Sequence, residues 1–302
     1  MRLTLEQAIA RVPFLASVPN LKITPLTGGI TNHNYKIETS DAAYVLRITG
    51  EGTELLGIRR EVECAANMAA GKLGVAPLVE YFIEPEGYLV TRFVDGKHIP
   101  PEEIRQSKYL IQIALKLRTF HQNAPTLASP FNVFRRIEML TATSRKNHCK
   151  FPEDFHWLET KMRQVEAALL QDPYTPTPCH DDLLNLNFLD EHGEVRILDW
   201  EYSGMGDIFF DLSNFAHHHH LTDDEVKILL HAYFGAVTPK HFARLKLMLP
   251  MSEMHEAMWG TTQTGISKLD EDFQGYADLW FGHAREALAD PHWDQWLKDV
   301  IE

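Results

Sequence analysis

The sequence predicts an α+β fold in two unequal lobes: a small antiparallel-sheet N-lobe, residues 1–95, and a larger, mainly helical C-lobe, residues 96–302. Two observations predict it. The first hundred residues alternate short apolar runs with Gly, Ser and Asp turns, as paired strands do, with one helical stretch among them. After Gly96 the apolar spacing turns helical and, apart from one pair of short strands, stays so. No internal repeat or long low-complexity tract divides the chain further.

Leu21–Leu26 reads as a strand, followed by a turn at Thr27-Gly28-Gly29. Asn34–Glu38 and Ala43–Ile48 read as two more, joined through Ser40-Asp41. Helical spacing then runs from Ile58 to Leu73, with Val62, Ala65, Ala66, Met68, Ala69 and Leu73 on one side, and Gly74 ends it. Val79–Ile83 and Gly87–Phe93 complete a five-stranded lobe, and the lobe boundary is expected near Val94–Lys97. Beyond it Glu102–Asn123 is amphipathic, with Ile111, Ala114, Leu115, Leu117 and His121 toward one face. Phe155–Leu170 is a second helix, and Pro173, Pro176 and Pro178 break the chain before Cys179. Phe188–Trp200 holds two short strands around Glu191-His192-Gly193, and helices dominate from Asp223 to Ala289.

Composition narrows the function classes. Of 302 residues, 44% are hydrophobic and 24% charged, which excludes gross disorder. Lys and Arg number 29 against 42 Asp and Glu, a net charge of −13. That balance argues against nucleic acid or an anionic membrane surface as a partner and leaves room for a cationic substrate. Cys64, Cys149 and Cys179 are widely spaced and form no C-x-x-C pair, so free thiols are expected. Met1–Ala10 is charged and lacks a secretory apolar core, and no 18-residue apolar run occurs, so a soluble, cytoplasmic protein is expected.

The strongest chemical signal is Cys179-His180-Asp181-Asp182-Leu183-Leu184-Asn185-Leu186-Asn187, a His-x-Asp-x-x-x-x-Asn pattern. Twelve residues after Asn187, the apolar run Ile197-Leu198 delivers Asp199. Phosphoryl transfer needs these parts: one carboxylate to orient the attacking hydroxyl and accept its proton, and an amide oxygen with a second carboxylate to hold Mg²⁺. Asp182 suits the first role, and Asn187 and Asp199 suit the second. Protein kinases are the standard worked case of this layout. A polar turn followed by a strand-end carboxylate is the plainer reading of either half alone; the two at this spacing favour the chemistry.

With these motifs in view, the chain resembles the choline/ethanolamine kinase branch of the aminoglycoside-phosphotransferase group, whose fold is protein-kinase-like. The resemblance runs over nearly the whole chain. It rests on Leu26–Asn32, Tyr44–Ile48, Arg60–Glu63, Gly87–Val90, His180–Asn187, Leu198–Gly204, Phe210-Asp211-Leu212 and Trp259–Gln263. It implies an ATP- and Mg²⁺-dependent kinase acting on a small hydroxyl compound, an amino alcohol such as choline or ethanolamine first. Related folds host aminoglycoside, thiamine, sugar and homoserine-like acceptors, and a non-catalytic nucleotide binder is the contrasting reading. Gly28, Gly29, Thr31 and Asn32 then cradle nucleotide phosphate, although a Gly-Gly pair alone reads equally as a hairpin turn. Arg47 takes the place of the kinase lysine, and its cationic fork suits phosphates and a helix carboxylate. Glu63 aligns best as that carboxylate, with Glu61 close by but on another helix face. His180 and Asp211 are implied to support the catalytic loop, Asp211 through backbone N–H groups. Asp207 and Glu201 are expected near metal or substrate.

The resemblance also carries an aromatic cage for a cationic acceptor onto Tyr202, Trp259 and Tyr276, since ring faces attract quaternary ammonium. Core packing is the competing account of each ring. Two departures stand out. Eukaryotic members carry a second Trp three residues before the Trp259 position, where this chain has Glu256. They also carry a pocket Glu where this chain has His217-His218-His219-His220. Glu256 and Glu201 are therefore the expected anionic groups of the pocket. The histidine run reads as a polar helix or loop, as pocket lining, or, least, as a metal site.

Overall fold

The computed structural model describes residues 3–26, 32–50 and 56–301; Gly28, Gly29 and Thr31 lie outside the described residues. The chain begins with helix α1 (Leu5–Ala10), closed by a Thr4/Gln7 capping box. Strands β1 (Lys22–Leu26), β2 (His33–Glu38) and β3 (Ala43–Ile48) follow, then helix α2 (Arg60–Lys72) and strands β4 (Val79–Ile83) and β5 (Tyr88–Arg92). The five strands form one antiparallel sheet in the order β1-β2-β3-β5-β4. Ile37, Leu46, Ile83 and Val90 point to one face, where Ala8, Ile9, Val12 and Leu15 from the α1 region cover them. That face is apolar at alternate positions, so the sheet register is set by what it must bury.

The larger lobe opens with β6 (Lys97–His98), α3 (Ser107–Asn123), α4 (Val133–Lys146) and α5 (Phe155–Leu169). Strands β7 (Thr177–Cys179), β8 (Phe188–Glu191), β9 (Glu194–Ile197) and β10 (Gly204–Gly206) carry the central segment. Helices α6 (Ile208–His218), α7 (Asp223–Phe234), α8 (Pro239–Ile266), α9 (Phe273–Leu288) and α10 (Trp293–Asp299) complete the chain. One core joins α2, α3, β8, β9, α6 and α7; a second joins α4, α5, α8, α9 and α10. Helix α2 therefore buries Val62, Ala66, Ala69 and Ala70 against the helical lobe as well as flanking the sheet. Helix α8 is buried nearly all round from Ala243 to Gln263, as a central helix must be.

The α+β two-lobed reading stands, with corrections of detail. Ala65 and Met68 on α2 and Ile111 and Leu115 on α3 face solvent, not the core. The buried face of α3 is Tyr109, Leu110, Ile113, Ala114, Leu117, Phe120 and His121, about a quarter of a turn from the expected stripe, with which it shares Ala114, Leu117 and His121. That helix begins at Ser107 because a turn precedes it, in which Glu103 and Ile104 donate to the Pro100 carbonyl. Helix α4 joins the expected elements, capped by Asn132, whose side chain accepts from the Arg135 N–H. Cys64, Cys149 and Cys179 are free thiols. No helix among the described residues is long and apolar enough to cross a membrane.

Candidate active site

The loop after β7 is held from beneath. Strand β7 pairs with β10, placing Cys179 opposite Gly204. The chain then turns at Asp181, whose φ of 68° lies in the left-handed region, a conformation costing on the order of 1–3 kcal/mol outside glycine. Asp211, at the start of α6, holds that turn: its Oδ2 accepts the His180 N–H at 2.8 Å and its Oδ1 accepts the Asp181 N–H at 2.7 Å. His121 adds a third bond, Nε2–H to Asp211 Oδ2 at 2.9 Å, and its Nδ1 accepts from the Tyr233 hydroxyl at 2.7 Å. Burial alone would raise the Asp211 carboxyl, but these donors bring it below the ordinary range. Asn214, one turn further along α6, accepts the Leu183 N–H at 2.5 Å.

His180 is wholly buried against Trp200, ring centres 4.5 Å apart. Its Nδ1 accepts the Asp182 N–H at 3.2 Å, so its Nε2–H donates to the Leu198 carbonyl at 2.8 Å. Burial pushes the imidazole down to about 4, so it stays neutral and structural. It ties the loop to the strand that delivers Asp199. Asn187 closes the same unit: its Nδ2–H donates to the Asp182 carbonyl at 2.8 Å, and its own carbonyl accepts the Leu198 N–H at 2.8 Å. Asp182, Asn187 and Asp199 are thus brought together by backbone bonds.

A network of two arginines lies on the sheet side of Asp199. Arg47 on β3 pairs with Glu63 on α2 and reaches Asp199 at 3.0 Å. Arg60 pairs with Glu63 at 2.6 Å and Glu201 at 3.0 Å, and Asn32 donates to Glu201 at 3.0 Å. Burial disfavours charge on both arginines, yet the carboxylates around them raise both above the ordinary value. Carboxylate oxygens of Glu63, Asp199 and Glu201 lie within 4.8 Å of one another. Asp199 Oδ1 has Arg47 at 3.0 Å as its ion-pair partner, and Asn187 spends its amide N–H on the Asp182 carbonyl, leaving its side-chain oxygen available. An all-oxygen donor set of this kind fits a hard divalent cation.

An aromatic wall also stands near Asp182, whose charge is felt by Tyr202 and Tyr276. Trp259 on α8 donates its indole N–H to the Tyr202 hydroxyl at 3.1 Å and packs on Tyr276 of α9, ring centres 5.6 Å apart. The Tyr276 hydroxyl donates to Glu256 at 2.6 Å. Burial would raise Glu256, but the flanking His218 and His255 hold it well below the ordinary range. Asp182 is raised well above its ordinary range, by burial first and then by Glu256 and Asp199. It is a carboxylate with unusual affinity for a proton, in a site crowded with acids.

Most of the sequence-predicted residues fall into this one place: Asp182, Asn187, Asp199, Arg47, Glu63, Tyr202, Glu256, Trp259 and Tyr276. Of the two helix acids, Glu63 faces Arg47, while Glu61 is exposed. Two expectations are corrected. Glu201 does not belong to the acceptor wall, because Asn32 and Arg60 hold it on the arginine side. Asp207 is engaged in the support of α6: it caps that helix through the Phe209 N–H and pairs with Arg244 at 2.8 Å. The histidine run splits, with His217 and His219 buried, His218 against Glu256, and His220 exposed. Sequence reasoning gave no role to Arg60, His121, Asn214 or His255. Arg60 stood in a quoted motif and His255 beside Glu256; His121 and Asn214 carried no signal, since their partners are distant in sequence.

Comparison with known proteins agrees with this geometry. The family model described as choline/ethanolamine kinase matches residues 23–226. Protein LicA of Haemophilus influenzae is 23% identical over 260 residues, covering 83% of this chain and 75% of that protein. Human ethanolamine kinase 2 is 26% identical over 292 residues, covering 84% and 73%. A crystal structure of a choline/ethanolamine kinase family protein from Mesorhizobium loti superposes with a TM-score of 0.86 at 27% identity, covering 98% of this chain and 97% of that one. An aminoglycoside 2'-phosphotransferase in complex with GDP shares the fold at a TM-score of 0.63 and 13% identity, covering 93% and 96%. The chain belongs to the choline/ethanolamine kinase family and is an ATP-dependent phosphotransferase acting on an alcohol group.

Proposed function

We propose that this enzyme uses ATP with Mg²⁺ to phosphorylate the hydroxyl of a small amino alcohol, choline or ethanolamine first. The observation that supports this best is the company Asp182 keeps. Asn187 donates to its backbone carbonyl, and Glu256 and Asp199 are the charges that act most strongly on its side chain, Glu256 being joined to Tyr276 and so to the Trp259–Tyr202 pair. The named activities of relatives, ethanolamine kinase and choline kinase, support the same acceptor class.

In this reading Asp182 orients the acceptor hydroxyl and takes its proton as the oxygen attacks the terminal phosphoryl group. Its raised proton affinity favours that transfer. Asn187 and Asp199 would hold Mg²⁺, which neutralises charge on the phosphate oxygens. Arg47, fixed by Glu63, and the Gly28–Asn32 segment with Gly29 and Thr31 would hold the nucleotide phosphates. With the lobes divided at residues 95 and 96, the nucleotide would sit in the cleft between them. His180 and Asp211 keep the loop in register, and Glu256 meets the acceptor's positive charge within the Tyr202–Trp259–Tyr276 wall. Asp182, Asn187 and Asp199 are all present, which disfavours a non-catalytic nucleotide binder.

The test is ADP release across a panel of alcohols. Asp182→Asn should lower kcat by about 10²–10⁴-fold, the usual contribution of a positioned base, with ATP affinity by calorimetry unchanged. Full activity in that variant would refute the assignment.

A further inference from the structure

Buried imidazoles stand behind Glu256, and the transfer of the phosphoryl group uses none of them. His217 and His255 are 3% and 4% exposed, and the His218 side chain 5%. Both ring nitrogens of His217 and of His255, and Nε2 of His218, have no hydrogen-bond partner among the described residues. Folded proteins seldom leave so many buried polar atoms unmet in one place, and each such group calls for an explanation.

The arrangement around Glu256 supplies one. Its Oε2 is taken by the Tyr276 hydroxyl at 2.6 Å. Its Oε1 stands 3.6 Å from Nδ1 of His255 and 3.7 Å from Nε2 of His218, just beyond hydrogen-bonding reach. The three atoms come from α6 and α8, and the rings of His217 and His218 are steadied by Trp280, at 4.8 and 5.2 Å. Among charged neighbours, Glu256 acts most strongly on Asp182, so the cluster lies close to the residue assigned as base. With their lone pairs on Nδ1 of His255 and Nε2 of His218, the two rings and Oε1 present three acceptors to a cation; with the N–H there instead, the same rings face Glu256 as donors. A primary ammonium carries three N–H donors; a trimethylammonium carries none and relies on aromatic faces.

The geometry points to Glu256, His218 and His255 as a three-acceptor cradle for a primary ammonium, which makes this enzyme selective for a primary amino alcohol over its quaternary analogue. The inference rests on the amino-alcohol reading above. Hydrogen bonding rather than cation–π contact sets the preference, and Trp259 is correspondingly tied by its N–H to Tyr202. His218 and His255 are specificity-determining residues and take no proton from the reacting hydroxyl.

The experiment is kcat/KM for ethanolamine, N-methylethanolamine, N,N-dimethylethanolamine and choline in the full-length enzyme. Each lost N–H should lower kcat/KM about tenfold, the worth of a hydrogen bond to a charged group. His218→Phe and His255→Phe should compress the series, mainly through acceptor KM, with the KM for ATP unchanged. His218→Asn and His255→Asn, which keep an acceptor, should restore much of it. Choline used as well as ethanolamine, or full selectivity in both Phe variants, would overturn the cradle while leaving the kinase reading intact. Absence of ADP release with all four compounds, in an enzyme that binds ATP, would overturn the amino-alcohol reading and the cradle with it. The wild-type series decides even if a variant fails to fold.

Discussion

Asp211→Asn is the perturbation that most directly separates the loop's support from its chemistry. The wild-type carboxylate accepts three bonds, from the His180 and Asp181 N–H groups and from His121, and is fully buried. An asparagine keeps one good acceptor and turns an N–H toward a donor. One buried backbone N–H is then unmet, costing about 1–3 kcal/mol, and the charge-assisted bond to His121 is weakened, costing about 1.5–3 kcal/mol. The sum is about 2.5–6 kcal/mol. At about 2–4 °C per kcal/mol for a domain of this size, Tm should fall by about 10 °C, read by thermal unfolding. The left-handed Asp181 backbone is held by the same bonds, so its relaxation should move Asp182 and lower kcat about 10–100-fold. The KM for ATP should hold, since Arg47 and Glu63 are untouched. A variant within about 3 °C of wild type and with native kcat would refute the idea that Asp211 holds the loop.

Other predictions follow from the same geometry. Glu253 on α8 is buried, with one oxygen unpartnered, and burial pushes it up to about 8 from an ordinary 4.5. The folded state therefore binds a proton that the unfolded state releases between those values, so stability falls as pH rises from about 4.5 to 8, at about 1.4 kcal/mol per unit. Glu253→Gln should match wild-type Tm at pH 5 and exceed it at pH 8.5; a pH-independent difference would contradict this. Glu63→Gln should weaken ATP binding about tenfold, because Arg47 loses its fixed partner, whereas Glu61→Gln should be near silent by calorimetry. Gly260→Ala would set a Cβ 2.8 Å from Tyr276 Cδ1 and 3.1 Å from the Ala277 nitrogen, so α9 must move. Acceptor KM should rise about tenfold with little change in the KM for ATP, as steady-state kinetics would show.

How much of this was legible in the sequence depends on how local each signal is. Strand pairs and the His180–Asn187 pattern were legible because alternation and spacing act over fewer than ten residues. Helix faces were less so: Ile111 and Leu115 satisfy a helical stripe as well as Leu110 and Ala114, and only the neighbours decide which stripe is covered. Glu63 rather than Glu61 could be favoured from alignment, yet the pairing with Arg47 needed the sheet and helix in place. Glu201 was misplaced because a residue two positions after Asp199 can face either side of the strand end. Its direction is set by Arg60 and Asn32, which lie 141 and 169 residues away in sequence. Asp207 was misread for the same reason, Arg244 being 37 residues distant.

The net charge of −13 acquires meaning only when divided by place. The acids of the site fall into two groups that are treated differently. Glu63, Asp199 and Glu201 are met by Arg47 and Arg60, cations that stay charged under burial and so suit a side that must face phosphate. Glu256 is met by His218, His255 and a tyrosine hydroxyl. Burial lowers the basicity of His255, so it stands beside the carboxylate without cancelling its charge. Had an arginine stood at either histidine position, Glu256 would be neutralised and a cationic acceptor would gain nothing by binding there. His218→Arg should therefore raise the KM for every cationic acceptor at least tenfold, primary and quaternary alike, whereas His218→Phe should penalise the primary amine alone. A His218→Arg enzyme with unchanged acceptor KM would mean that the charge of Glu256 plays no part in recognition.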